Sequence, residues 1–166
     1  MSVMRLYLVQ HGEAVSKDID PDRPLTAAGR HDTERLASFL SRHRVSVSRI
    51  IHSSKARARE TAEILAQTIA RERKVEQAAG LDPLDSPSDF STRLKSRSED
   101  LAIVGHLPFL AKLVSYLVTG NDEPALVAFV PGTMVVLERE DAGVWVITNM
   151  LPTSHGRRNA EARSPR

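Results

Sequence analysis

Val3-Met4-Arg5-Leu6-Tyr7-Leu8-Val9-Gln10-His11-Gly12-Glu13 is the stretch from which the rest of the chain can be read. Residues 3–9 are apolar but for Arg5 and barely alternate, which predicts a strand covered on both faces, as in parallel sheets flanked by helices. Residues 49–52 and 101–104 repeat the motif of a short apolar run, the third ending in Gly105-His106. Amphipathic segments lie between these runs. Thr26 is placed to cap a helix reaching about His43, with Leu36, Phe39 and Leu40 on one face. A second helix is predicted over 56–71, where Ala58, Ala62, Leu65 and Ile69 recur at helical spacing. Short apolar runs alternating with amphipathic segments predict an α/β fold: a three-layer sandwich with a mostly parallel central sheet and helices on both faces.

Farther along, Pro83 and Pro87 punctuate a loop over 80–87, and a helix is expected over 88–97. Pro108 suits the first turn of another helix, with Phe109, Leu110, Leu113, Val114 and Leu117 as its buried stripe and Gly120 as its stop. Residues 126–130, 133–138 and 144–150 read as late strands, the last two forming an antiparallel hairpin across 140–143. A single domain is expected over 1–152. Residues 153–166 are polar and expected to be a disordered tail.

Composition narrows the function. The chain has 166 residues, 41% hydrophobic and 27% charged, which suits one globular domain. With no cysteine there is no disulfide framework, thiolate zinc site or cysteine nucleophile. The net charge of +2 is small, and part of the basicity sits in Arg157, Arg158, Arg163 and Arg166. No dense basic stripe is present, so nucleic acid is not an expected partner. Residues 3–9 are too short for a membrane span and lack the flanks of a signal peptide, so a cytoplasmic protein is expected. No metal site and no cofactor are expected.

Three strands end in polar residues: Gln10-His11-Gly12-Glu13, then His52-Ser53-Ser54 ahead of Arg57, and Gly105-His106. Ligands of open α/β sheets bind beyond the carboxyl ends of the strands, so two histidines and an arginine would meet in one crevice if these strands are neighbours. Neutral imidazole is nucleophilic near neutral pH and can carry a phosphoryl group. Arginine offers a fork of donors to phosphoryl oxygens. Gly12 would let backbone approach an anion, and the helix entered at Pro108 would aim its positive end at it.

Each residue also has a plainer reading. His11 and His106 could be ordinary turn histidines, and Arg57 a solvated residue in a first helical turn, a poor place for a cation without an anion partner. His52 divides evenly between lining the crevice and local hydrogen bonding. His31 and His43 read as surface residues, Arg59 and Glu63 as a surface pair, and Trp145 as packing.

The segments Leu8-Val9-Gln10-His11-Gly12-Glu13-Ala14, Arg23-Pro24-Leu25-Thr26-Ala27-Ala28-Gly29, Ser53-Ser54-Lys55-Ala56-Arg57-Ala58-Arg59-Glu60-Thr61-Ala62 and Val104-Gly105-His106-Leu107-Pro108 together resemble the histidine phosphatase (phosphoglycerate mutase-like) superfamily. Their order and spacing are most similar to its short SixA branch, the phosphohistidine phosphatases. The resemblance implies that His11 is the phosphorylated nucleophile, that Arg57 holds phosphoryl oxygens and that His106 contacts the phosphoryl group. Gln10 and Gly12 would join Arg57 and His106 in binding phosphate. The family's first motif usually begins with arginine, where this chain has Gln10, so Arg23, Lys55 or Arg59 would have to supply the missing charge. Glu13 and Asp82 are the candidates for a proton donor.

The expected activity is a phosphohistidine protein phosphatase acting through phospho-His11. Its implied partner is a signalling or phosphotransferase protein bearing phosphohistidine, and a monomer is expected. Two alternatives stand beside it. One is a small-metabolite phosphomonoesterase with the same mechanism, the other a phosphate-binding module whose catalysis is weakened by Gln10.

Overall fold

A computed structural model describes residues 3–151; the expected tail lies outside the described residues. The strands are β1 (Met4–Gln10), β2 (Arg49–His52), β3 (Val75–Gln77), β4 (Leu101–Gly105), β5 (Met134–Arg139) and β6 (Trp145–Leu151). The helices are α1 (Ala27–Arg42), α2 (Ala56–Ile69), α3 (Pro87–Leu94) and α4 (Phe109–Thr119). The strands form one sheet in the order β3-β2-β4-β1-β5-β6. β1–β4, β4–β2 and β2–β3 pair in parallel, whereas β5 runs antiparallel to both β1 and β6. The sheet is mixed and mostly parallel, as the sequence predicts.

The near-continuous apolar run of β1 has the expected cause. Successive side chains leave a strand on opposite faces, and here both faces are covered. Leu6 and Leu8 pack with Ile103 against Phe90 and Leu94 of α3 and Phe109, Leu110 and Leu113 of α4. Tyr7 and Val9 pack with Val104 against Leu36 and Leu40 of α1 and Ala58 and Leu65 of α2. The Thr26 hydroxyl caps α1 by accepting the Gly29 N–H at 2.9 Å. Gly120 ends α4 at φ 82°, a left-handed position that favours glycine.

The structure departs from the sequence reading in four places. β3 is an additional strand of three half-polar residues, which gain their conformation by pairing with β2. Residues 126–130 are not a strand, because β1 and β6 already occupy both edges of β5. Phe129 is instead buried on the α3–α4 side, with Val127 packed against that cluster. α3 begins at Pro87, ahead of the expected 88, because Ser86 caps it by accepting the Asp89 N–H at 3.3 Å. It also stops at Leu94, short of 97, where the Arg139 guanidinium donates to the carbonyls of Leu94 and Arg97. α2 likewise ends at Ile69, two residues early.

Candidate active site

The site grows out of the pairing of β1 with β4. These strands run parallel with Val9 opposite Val104 and Gln10 opposite Gly105. The His11 N–H extends the ladder one step by donating to the Gly105 carbonyl at 3.1 Å. His11 and His106 therefore emerge side by side, their ring centroids 5.0 Å apart. β2 flanks β4 and leads through Ser53 and Ser54 into α2, which carries Arg57 in its first turn. The Arg57 Nε–H donates to His11 Nε2 at 3.3 Å. The three groups expected to meet do so.

Both imidazoles are held neutral. The His11 pKa is lowered to about 4, chiefly by burial and then by the charges of Arg57 and Arg23, against the opposing bond to the Gly12 carbonyl. That of His106 falls to about 3 through burial, helped by His11, Arg57, Lys55 and Arg23. Burial and the nearby Arg23 charge also lower the Arg57 pKa, while Asp82 acts to raise it. His11 Nδ1 lies 2.7 Å from the Gly12 carbonyl. A carbonyl oxygen only accepts, so Nδ1 carries the proton and the lone pair is on Nε2.

Gly12 is explained differently from expectation. Its N–H is engaged, donating to Thr61 Oγ1 at 3.1 Å. A Cβ at this position would lie 2.9 Å from Thr33 Oγ1 and 3.0 Å from the Gly29 carbonyl. Glycine is required because α1 presses against the loop that follows β1. Gly29 mirrors it, since a Cβ there would come within 2.1 Å of the Glu13 carbonyl. Gln10 is buried, with its Oε1 unpartnered among the described residues. By strand alternation its side chain leaves on the face opposite Val9, beside Gly105.

Glu13 is exposed, and its Oε1 accepts the Thr26 hydroxyl at 3.0 Å, which ties it to the start of α1. Asp82 is half-buried and accepts the Ser54 hydroxyl at 3.1 Å, within electrostatic reach of Arg57. Arg23 stands at φ 48° with its Nε–H donating to the Val15 carbonyl at 3.1 Å. A cleft of about 790 Å³ opens beside Arg57, with Lys17, Arg23 and Lys55 also in its walls. Among the described residues none of these four cations forms an ion pair.

Ser53, which sequence reasoning passed over, is fully buried, with its Oγ 2.5 Å from His106 Nε2. Its place directly after β2, in a segment otherwise read for Arg57, was the available signal. His52 is buried, its Nδ1 2.7 Å from the Ser53 carbonyl, which is local bonding. Arg59 pairs with Glu63 at 3.8 Å on the surface, and His31 is exposed. His43, also on the surface, stacks on Phe39 and bonds its carbonyl. No group of three or more metal-ligating side chains occurs among the described residues. No described helix is long and apolar enough to cross a membrane.

Two neutral imidazoles and a guanidinium meet at the carboxyl ends of a mixed sheet, an arrangement suited to an anionic group. The chain belongs to the histidine phosphatase superfamily (branch 1), whose profile matches residues 6–85 and whose members are typically phosphatases. It is 25% identical over 126 residues to the phosphohistidine phosphatase SixA of Escherichia coli (strain K12), spanning 73% of this chain and 78% of that one. An uncharacterized protein of Picosynechococcus sp. (strain ATCC 27264 / PCC 7002 / PR-6) is 34% identical over 126 residues, 71% of this chain and 75% of its own. Among solved structures, the protein histidine phosphatase SixA complexed with tungstate matches with a TM-score of 0.81 at 21% identity, over 93% of this chain and 100% of that one. The alpha-ribazole phosphatase of Shigella flexneri matches at 0.72 and 17% identity, over 90% and 97%.

Proposed function

We propose that this protein is a phosphohistidine protein phosphatase whose phosphoryl group passes through His11. The observation that carries this is the pairing at His11: Nδ1 is tied to the Gly12 carbonyl, so the lone pair is on Nε2, where it accepts the Arg57 Nε–H at 3.3 Å and is released for attack when Arg57 turns to the phosphoryl oxygens. The Nε2 lone pair attacks phosphorus, and the phosphorus–nitrogen bond of the substrate breaks. Its electron pair leaves with the substrate imidazole, which takes up a proton from water in the open cleft. Water then attacks phospho-His11, releasing orthophosphate and restoring neutral His11. Arg57 and His106 bind the phosphoryl oxygens, where charge spreads during transfer. Arg23, in the wall of the cleft with Arg57 and in no ion pair among the described residues, would supply the cation that Gln10 lacks.

Imidazole leaves far more readily than an alkoxide, so this substrate makes a small demand on a proton donor. The open cleft suits a phosphohistidine exposed on a protein, here a signalling or phosphotransferase protein met by a monomer in the cytoplasm. The sequence similarity to SixA supports the same substrate. One observation favours a second reading, a small-metabolite phosphomonoesterase. Asp82, which accepts the Ser54 hydroxyl and acts electrostatically on Arg57, would be the donor to an alkoxide in that reading.

Single-turnover labelling tests the mechanism. The protein is mixed with a protein carrying labelled phosphohistidine, quenched in alkali and examined for acid-labile label. Label is expected on the wild type and absent from His11→Ala. Turnover of the phosphohistidine protein should also exceed that of sugar and nucleotide phosphates. The reverse preference favours the metabolite reading. Wild-type protein that takes up no label, with none restored by Gln10→Arg, would reduce the site to a phosphate-binding module.

A further inference from the structure

His106 is 1% exposed, and its two ring nitrogens have unequal surroundings. Nε2 faces Ser53 Oγ at 2.5 Å, whereas Nδ1 is buried with no partner among the described residues. With its pKa lowered to about 3, the ring is neutral at pH 7 and holds one proton. Which nitrogen holds it decides whether His106 attracts or repels an anion.

The bonding of Ser53 answers this. The residue is 0% exposed. Its hydroxyl has one proton to give and two lone pairs to receive. One lone pair accepts the Lys55 N–H at 3.3 Å. Among the described residues, the remaining neighbour within hydrogen-bond reach of Oγ is His106 Nε2. If Nε2 carried the proton, the Ser53 O–H would be stranded in the interior, a buried unpaired donor. The bare lone pair of Nδ1 would also be left unpaired in the interior, on a ring packed beside His11. If Ser53 donates to Nε2, its own proton is paired, and the group left without a partner is an Nδ1–H that a phosphoryl oxygen could accept.

We infer that Ser53 is a positioning residue: its hydroxyl proton engages His106 Nε2, which puts the ring proton on Nδ1 and makes that atom a donor to a phosphoryl oxygen. The relay runs from the Lys55 N–H through Ser53 and across the imidazole, and Ser53 itself does not touch the substrate. The role assigned to Nδ1 rests on the phosphatase reading above, whereas the tautomer does not.

Nuclear magnetic resonance of 15N-histidine-labelled protein at pH 7 reads the tautomer directly, with the His106 signals assigned by their loss in His106→Gln. The wild type should show Nδ1 protonated and Nε2 as acceptor. Ser53→Ala should move the population toward the Nε2-protonated form. It should also lower kcat roughly 10- to 100-fold with little change in KM, the worth of one hydrogen bond to a charged group. Ser53→Thr, which keeps the hydroxyl, should restore both the tautomer and kcat. An Nε2-protonated His106 in the wild type overturns the inference, whatever the Ala variant's fold. So does a Ser53→Ala protein with unchanged tautomer and kcat. A wild type with the expected tautomer and no turnover would instead overturn the phosphatase reading.

Discussion

The nucleophile proposed at His11 must be unprotonated when it attacks, and burial sets that condition. An imidazole in water takes up its proton near pH 6.5, whereas here the value is about 4. The shift has a definite sign. Desolvation and the positive charges of Arg57 and Arg23 all penalise imidazolium, so the neutral ring persists well into acid. The rate of His11 phosphorylation by a small phosphoramidate, corrected for spontaneous hydrolysis, is therefore expected to stay flat from pH 8 to about 5 and to fall only below that. A half-point near 6.5 would mean that the ring is open to water in the working enzyme. Sequence alone supports only the unperturbed value, because the residues that bury His11 come from distant parts of the chain. The identity of the groups was legible, since each follows an apolar strand. The tautomer of His106 was not, because it depends on a serine hydroxyl more than fifty positions away.

At the scale of elements, the catalytic loop is held from two sides. α1 presses Gly29 and Thr33 against Gly12, while α2 supplies Thr61. The Thr61 hydroxyl accepts the Gly12 N–H at 3.1 Å and donates to the Arg57 carbonyl at 2.8 Å, so one side chain links the nucleophile's loop to the arginine's helix turn. Thr61→Val keeps the shape and removes both bonds. It leaves the Gly12 N–H buried without an acceptor, which should cost about 1–3 kcal/mol. Urea unfolding should show that loss as a lower midpoint at unchanged slope, with kcat reduced as His11 and Arg57 drift apart. An unaltered midpoint would show that the loop is held by the packing of α1 alone. Elements with strong local signals were legible: β1 and β2 from their apolar runs, α1 from Thr26, α4 from Pro108 and Gly120. β3 was not, since Val75, Glu76 and Gln77 acquire strand form from their neighbour. Residues 126–130 failed in the opposite way. Their apolar character serves helix packing through Phe129 and Val127, and no sheet edge beside β5 was open to them.

At the scale of the whole molecule, the strand order β3-β2-β4-β1-β5-β6 makes the site, because it sets β4 between β1 and β2. The sequence shows three polar strand ends, and only the folded sheet makes them neighbours. The same sheet end shows what kind of substrate the surface around the site can accept. Lys17, Arg23, Lys55, Arg57 and Arg59 line a common cleft against the acids Asp20, Asp22 and Glu60, an excess of positive charge that favours an anion. Two apolar side chains stand out on the loops that border it. Ile19 is 80% exposed on the loop that contributes Lys17 and Arg23, and Leu84 is 89% exposed just beyond Asp82, which is bonded to Ser54 of the cleft. A small phosphorylated metabolite in the cleft has no use for apolar groups this far out in solvent. A protein carrying phosphohistidine would cover them, gaining roughly 1.5–3 kcal/mol for each side chain fully buried. Replacing both, as Ile19→Ser with Leu84→Ser, is therefore expected to raise KM for a phosphohistidine protein at least several-fold. It should leave hydrolysis of free phosphohistidine untouched, because neither residue contacts the reacting group. Measuring both substrates on the same variant separates docking from chemistry. Equal effects on the two would mean that the loops have moved, and no effect on either would leave the metabolite reading as the better account of this surface.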